Sequence, residues 1–148
     1  FFARGVLETV KKLRWTPDII HCQGWISHVL PVYLKKAYKD DPIFSNSKVV
    51  LSLYNDTPHE SLGDDFQKTV LFGGIPREDV PLLEKGDGIN LAKTAARYSD
   101  GIILGSDDVD SDITAYCQEL GLPVLPYSAE ALETGKYVDE YNSFYESI

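Results

Sequence analysis

The sequence contains no methionine and only two cysteines, and it is short of positive charge, with 14 Lys and Arg against 23 Asp and Glu for a net charge of -9. Each shortage excludes something. Without methionine, and with FFARGVLETVKK at its start reading as the middle of a helix, the sequence implies a piece of a longer chain. Cys22 and Cys117 stand far apart, one at a predicted strand end and one in a predicted helix. They suggest two buried thiols rather than a disulfide framework or a metal knuckle. The acidic balance argues against nucleic acid and against an anionic membrane surface, because both are held mainly by Lys and Arg. No apolar run approaches the roughly 18 to 20 residues needed to span a bilayer, and the first residues lack the apolar core of a signal peptide. A soluble, cytoplasmic protein is expected.

The common chemical signatures are also missing. Gly73 to Pro76 and Gly86 to Gly88 are the only glycine clusters, and neither makes a GxGxxG or GxxxxGK[ST] phosphate cradle. There is no GxSxG nucleophile elbow, and His21, His28 and His59 do not share the i, i+4 spacing of a helical metal site. Asp107, Asp108, Asp110 and Asp112 lack the glycine and the closing glutamate of a calcium loop, so they read as helix-capping and solvated carboxylates. No cofactor, metal or catalytic residue is expected from these patterns.

What is present is an alternation. Phe2, Val6, Val10 and Leu13 recur at helical spacing, predicting an amphipathic helix over Phe1 to Arg14 that Pro17 ends. Asp18 to Cys22 reads as a strand buried on both faces of a parallel sheet. A helix is expected from Trp25 to Tyr38, with Ile26, Val29, Leu30, Tyr33 and Leu34 inward and Pro31 either kinking it or marking its true first turn. After a polar turn comes a second strand, Lys48 to Tyr54. Asn55 to Asp87, rich in Pro and Gly, allows only short helices, one of them Asp64 to Phe72, and loops of that size are often functional. A helix over Ile89 to Tyr98 leads to a strand at Ile102 to Leu104. Ser106 is the expected N-cap of the next helix, which runs to Leu120 and stops at Gly121. Pro123 to Leu125 is a last strand, and Ser128 to Ser147 a terminal helix weakened at Gly135. The rhythm is that of an α/β, doubly wound, Rossmann-like parallel sheet of about four strands with helices on both faces.

The stretch PDIIHCQGWISHVLP, Pro17 to Pro31, is where such a sheet would carry a ligand, just past the carboxyl end of a strand. His21 within it is a hydrogen-bonded structural histidine or a base. His59, in the loop after the second strand, could reach the same mouth.

From Phe2 to Asp112 the chain resembles the N-terminal domain of bacterial glycogen and starch synthases, retaining glucosyltransferases with the two-Rossmann-domain glycosyltransferase B fold. The family's Trp-x-Pro-Asp-[Ile/Val]-[Ile/Val]-His stretch matches Trp15, Pro17, Asp18, Ile19, Ile20 and His21, and its following Trp matches Trp25. Its Pro-x-Tyr-Leu-Lys matches Pro31, Tyr33, Leu34 and Lys35. Its Thr-[Ile/Val]-His-Asn falls on Ser52, Leu53, Tyr54 and Asn55, and its Asn-x-x-Lys with a later Tyr-x-Asp falls on Asn90, Lys93, Tyr98 and Asp100.

The departures fall at the cleft. Where the family reads His-Asp-Trp-His, this chain has Gln23, Gly24, Trp25 and Ile26, and an isoleucine cannot hydrogen-bond to a sugar. Tyr54 replaces the family's histidine, and Leu104, Gly105 and Ser106 replace its Val-Ser-Pro. The family's phosphate-side Lys-x-Gly-Gly-Leu loop and its second, donor-binding Rossmann domain are not in this sequence.

The resemblance therefore implies a single Rossmann-type domain over residues 1–148, without its first strands and without the donor half. It implies an acceptor-side, glycogen-synthase-like domain of an ADP-glucose-dependent enzyme, inactive alone. Its partners would be α-glucan or a sugar nucleotide, and its substrate-contacting candidates Gln23, Trp25, Tyr54 and Asn55. The stretch is otherwise pure packing, and the alternative is a non-enzymatic flavodoxin-like interaction module.

Overall fold

A computed structural model describes residues 2–63, 65–71 and 75–148. Asp64, Phe72, Gly73 and Gly74, which the sequence reading had placed in a short helix and a glycine cluster, lie outside the described residues.

Four parallel strands form one sheet in the order β1-β2-β3-β4. They are β1 (Ile19–Gln23), β2 (Lys48–Leu53), β3 (Gly101–Leu104) and β4 (Val124–Leu125). Ile20 lies opposite Val49, Leu51 opposite Ile102, and Ile103 opposite Leu125. Strands joined in parallel need crossovers long enough to hold helices, and each link here does so. α1 (Phe2–Lys12) precedes β1, α2 (Leu30–Val32) links β1 to β2, and α3 (Phe66–Leu71) and α4 (Gly88–Arg97) link β2 to β3. α5 (Ser111–Glu119) links β3 to β4, and α6 (Ala129–Thr134) and α7 (Tyr137–Ser147) follow.

Side chains alternate across a strand, so the sheet has two separate cores. On one face Cys22, Val49, Leu51, Leu53 and Ile102 pack with α1, α2, α4 and α5 through Leu7, Val32, Leu91, Ala95, Ile113 and Cys117. On the other, Val50 and Ile103 meet Phe144 of α7, flanked by Ile19, Leu125, Tyr141 and Tyr145. Both cysteines are free and buried, and burial pushes the Cys22 thiol up to about 12 and Cys117 to about 11.

Four expectations need correction. In β1, Ile19, Ile20 and His21 are only half-buried, so the strand is not covered on both faces. The segment from Trp25 to Tyr38 is three pieces: a 3-10 turn at Trp25–Ser27, then α2, then a π turn at Tyr33–Ala37 closed by the Tyr38 amide on the Tyr33 carbonyl at 2.9 Å. Pro31 marks the true first turn of α2, since proline has no amide hydrogen to lose there. Ile26 is 60% exposed rather than inward, because the 3-10 turn does not share the register of the helix behind it. The cap of α5 is Asp110, whose carboxylate accepts the Asp112 amide at 2.9 Å, so the helix starts later than Ser106 would allow. The break at Gly135 falls as expected, with φ 78 between α6 and α7.

The amino edge of the sheet is held by Asp100. Its Oδ2 accepts from Lys35 Nζ at 2.7 Å and from the Val49 amide at 2.8 Å, while its own amide donates to the Val49 carbonyl at 2.8 Å. Charged hydrogen bonds of this kind are worth about 1.5 to 3 kcal/mol each before the orphaned partners are counted. Asp100→Ala is expected to cost about 2 kcal/mol in urea unfolding, and Asp100→Asn less. A loss below half a kcal/mol would show that the partly exposed pair is decorative.

Candidate functional site

The carboxyl ends of all four strands lie on one edge because the sheet is parallel. Gln23 is the last residue of β1 and is exposed. Gly24 then turns the chain at φ 81, ψ 150, a conformation favouring glycine, and Trp25 opens the 3-10 turn. The Trp25 amide donates to Asp56 Oδ2 at 3.2 Å, which ties the turn after β1 to the turn after β2. Tyr54 follows β2, and its ring lies across Gly105, where a Cβ would stand 2.2 Å from the ring. Asn55 is exposed and donates from Nδ2 to Asp108 Oδ2 at 2.9 Å, spanning the ends of β2 and β3. The Asn55 amide holds the Asp108 carboxyl below its ordinary range. Gln23, Trp25, Tyr54 and Asn55 thus share one edge, stitched by two carboxylates, Asp56 and Asp108.

His21 is accounted for differently. Its Nδ1 meets the Tyr145 hydroxyl at 2.7 Å and its Nε2 meets Ser52 Oγ at 2.5 Å, and Ser52 is fully buried. Both ring nitrogens are occupied on the α7 side of the sheet, and burial lowers the pKa. This favours the structural reading. His59 is exposed. His28 closes the 3-10 turn, its amide donating to the Trp25 carbonyl. It is 1% exposed with neither ring nitrogen partnered, and burial, opposed by the nearby Asp56, pulls its pKa down to about 4.

The sequence reading missed Asp56 and the tyrosines of α7. The i, i+4, i+8 spacing of Tyr137, Tyr141 and Tyr145 was the available signal. A cavity of about 790 Å³ is a groove between α1 and α3 lined by Arg4, Glu8, Tyr33 and Lys68, and none of the four candidate residues borders it. It is formed by helix flanks rather than by strand ends, so it is not the edge described above.

Electrostatically the edge is acidic. The turns 24–26, 54–59, 105–110 and 126–128 contain Asp56, Asp107, Asp108 and Asp110 and no Lys or Arg. Among the described residues no group of His, Cys, Asp and Glu is placed to hold a metal ion, and no helix is long and apolar enough to cross a membrane.

An open parallel sheet of four strands with helices packed on it defines an α/β domain of Rossmann-like type. Residues 1–123 match the family described as the starch synthase catalytic domain, and the chain belongs to that family. It is similar to the glycogen synthase of Clostridium perfringens (strain 13 / Type A), at 34% identity over 161 residues covering 100% of this chain and 32% of the relative. The glycogen synthase of Geotalea daltonii is 33% identical over 138 residues, 90% of this chain and 25% of the relative. That of Thermotoga petrophila is 32% identical over 120 residues, 81% and 23%. The chain spans about a third or less of the length of these curated relatives. No solved structure matches it with significance.

Proposed function

We propose that this chain is the acceptor-side domain of a glycogen-synthase-type glucosyltransferase. It contacts α-glucan through Gln23, Trp25, Tyr54 and Asn55 and does not transfer glucose by itself. It acts in the cytoplasm as a single Rossmann-type domain, and the groups that hold the sugar nucleotide belong to a second domain. The observation that carries this reading is the composition of the carboxyl edge. Glucosyl transfer needs cationic or backbone donors on the departing phosphates and hydrogen bonds to the sugar as charge develops. This edge offers carboxylates, and Ile26 stands 60% exposed where the resemblance places a sugar-contacting histidine.

The test is a radiolabelled transfer assay from ADP-glucose to glycogen, run beside glycogen co-sedimentation. The purified chain is expected to transfer nothing above background, and Ile26→His alone is expected not to create activity, because it adds no cationic donor for the departing phosphates to an acidic edge. Glycogen binding is expected to weaken roughly tenfold in Trp25→Ala, the equivalent of one aromatic contact of about 1.4 kcal/mol. Measurable transfer by the wild-type chain overturns the non-catalytic reading, and sedimentation unchanged by Trp25→Ala removes the indole from the site.

A further inference from the structure

α7 runs antiparallel to the strands it covers. Its Tyr137, Glu140 and Tyr141 line a crevice with Leu104 and Gly105 at the carboxyl end of β3, while Phe144 and Ile148 pack on Gly101 at the amino end of the same strand. The first turn of the helix therefore stands at the ligand edge. The tyrosines at 137, 141 and 145 recur every four residues and so share one helix face. Tyr137 and Tyr141 meet edge to face at 5.6 Å between centroids, and Tyr141 and Tyr145 each meet the His21 ring at 5.8 Å. The Tyr54 ring lies across Gly105, which lines the same crevice as Tyr137 and Tyr141, so Tyr54 stands at the strand end the stripe reaches. Tyr137 remains 37% exposed, with Leu132 and Val138 exposed around it. Tyr137, Tyr141 and Tyr145 lie beyond residue 123, where the family match stops.

We propose that Tyr137 and Tyr141, together with Tyr54, form a stacking platform that extends the carboxyl-edge site and takes a neutral α-linked glucan chain. The proposal rests on the reading of that edge given above. Tyrosine offers a flat apolar face at low entropic cost and a hydroxyl at its rim, which suits a sugar ring that is apolar on its faces and polar around its circumference. The crevice beneath the rings has a volume of about 10 Å³, room for at most one water, so a ligand lies across the platform rather than entering it. Charge decides which ligand. Asp108, bonded to Asn55 beside Tyr54, stands on the strand side, and Glu140 lines the crevice with Tyr137 and Tyr141 on the helix side. Carboxylates accept hydrogen bonds from sugar hydroxyls and repel phosphates, so the platform favours an uncharged oligosaccharide over a sugar nucleotide.

The experiment titrates the full chain with maltoheptaose, and separately with ADP-glucose, following backbone amide shifts by NMR. Maltoheptaose is expected to move the amides of residues 137–141 together with those of Tyr54 and Asn55, and ADP-glucose to leave them in place. Tyr137→Ala is expected to weaken maltoheptaose binding roughly fivefold and Tyr137→Phe, which keeps the ring, to restore it, with the amide spectra of both variants reading whether the fold is kept. If Tyr137→Ala binds like wild type while Trp25→Ala does not, the platform is wrong and the edge reading stands. If the wild-type chain binds no maltoheptaose at all, both fail. A dimer in sedimentation that Tyr137→Ala dissolves would make the patch a protein interface and overturn the glucan assignment.

Discussion

Gly88→Ala is expected to destabilise the chain by about 3 kcal/mol or more, lowering the melting temperature by roughly 10 °C. A Cβ on Gly88 would stand 2.0 Å from the Pro58 carbonyl oxygen and 2.9 Å from Pro58 C and Cδ, so the obstacle is mostly main chain and cannot be relieved by a rotamer change. Gly88 opens α4 directly after the Asp87 cap, whose carboxylate accepts the Asn90 amide at 2.8 Å. Either α4 loses that first turn or the segment after β2 lifts away, carrying Asn55 and Asp56 from the carboxyl edge of the sheet. Gly5→Ala is the control of opposite sign. Nothing lies within 4 Å of its Cβ position, and alanine in mid-helix gains about 0.5 to 1 kcal/mol. Urea unfolding of the two variants reads both effects, and a Gly88→Ala chain within half a kcal/mol of wild type would refute the close approach.

Acid is expected to weaken the fold through His28. Its pKa is 6.5 in the unfolded chain and about 4 in the folded one, because the buried ring resists charging and Asp56 only partly offsets that. The unfolded state therefore binds the proton first. The His28 contribution is complete above pH 6.5, is lost progressively down to pH 4, and changes no further below, for a total of about 3 kcal/mol. His28→Leu removes the titration together with two unpartnered buried nitrogens, so it should be neutral or stabilising at pH 7. Urea midpoints of wild type and His28→Leu should diverge between pH 6.5 and 4, and His21, also lowered, cancels in the difference. Parallel curves would mean that His28 is reached by water before the chain unfolds.

The parts of this fold that were readable are those dictated by nearest neighbours. Paired β-branched residues between Pro and polar turns marked β1, β2 and β3, and Gly135 marked the break before α7. The parts that were not readable depend on partners far away in sequence. Lys35 and Asp100 were recognised as family anchors. Their ion pair across 65 residues, at the edge opposite the ligand side, follows only from the packing of β2 against β3. The burial of His28 and the contact of Pro58 with Gly88 are likewise tertiary. At the candidate site, the strand-end position of Gln23, Trp25, Tyr54 and Asn55 could be inferred because β1 and β2 were. That Asp56 ties the two turns together could not, since one Asp in a polar loop carries no local signal. The acidic run misled for a related reason. Several of its residues make acceptable caps, and only the position of Ile113 in the core decides which one is used.

The two faces of the sheet differ in how many elements stand guard. One is covered by four helices whose residues interlock in a single large cluster, so it opens only when the whole domain does. The other depends on α7, anchored by Phe144 against Val50 and Ile103 and by the Tyr145 hydroxyl on His21. A helix attached through so small a cluster is a separate cooperative unit, with an opening free energy below that of the rest. When it lifts, it bares Val50 and Ile103 and leaves His21 with Ser52 as its single hydrogen-bond partner. Partial unfolding thus has a defined first step, and that step exposes an apolar strip of the sheet to water.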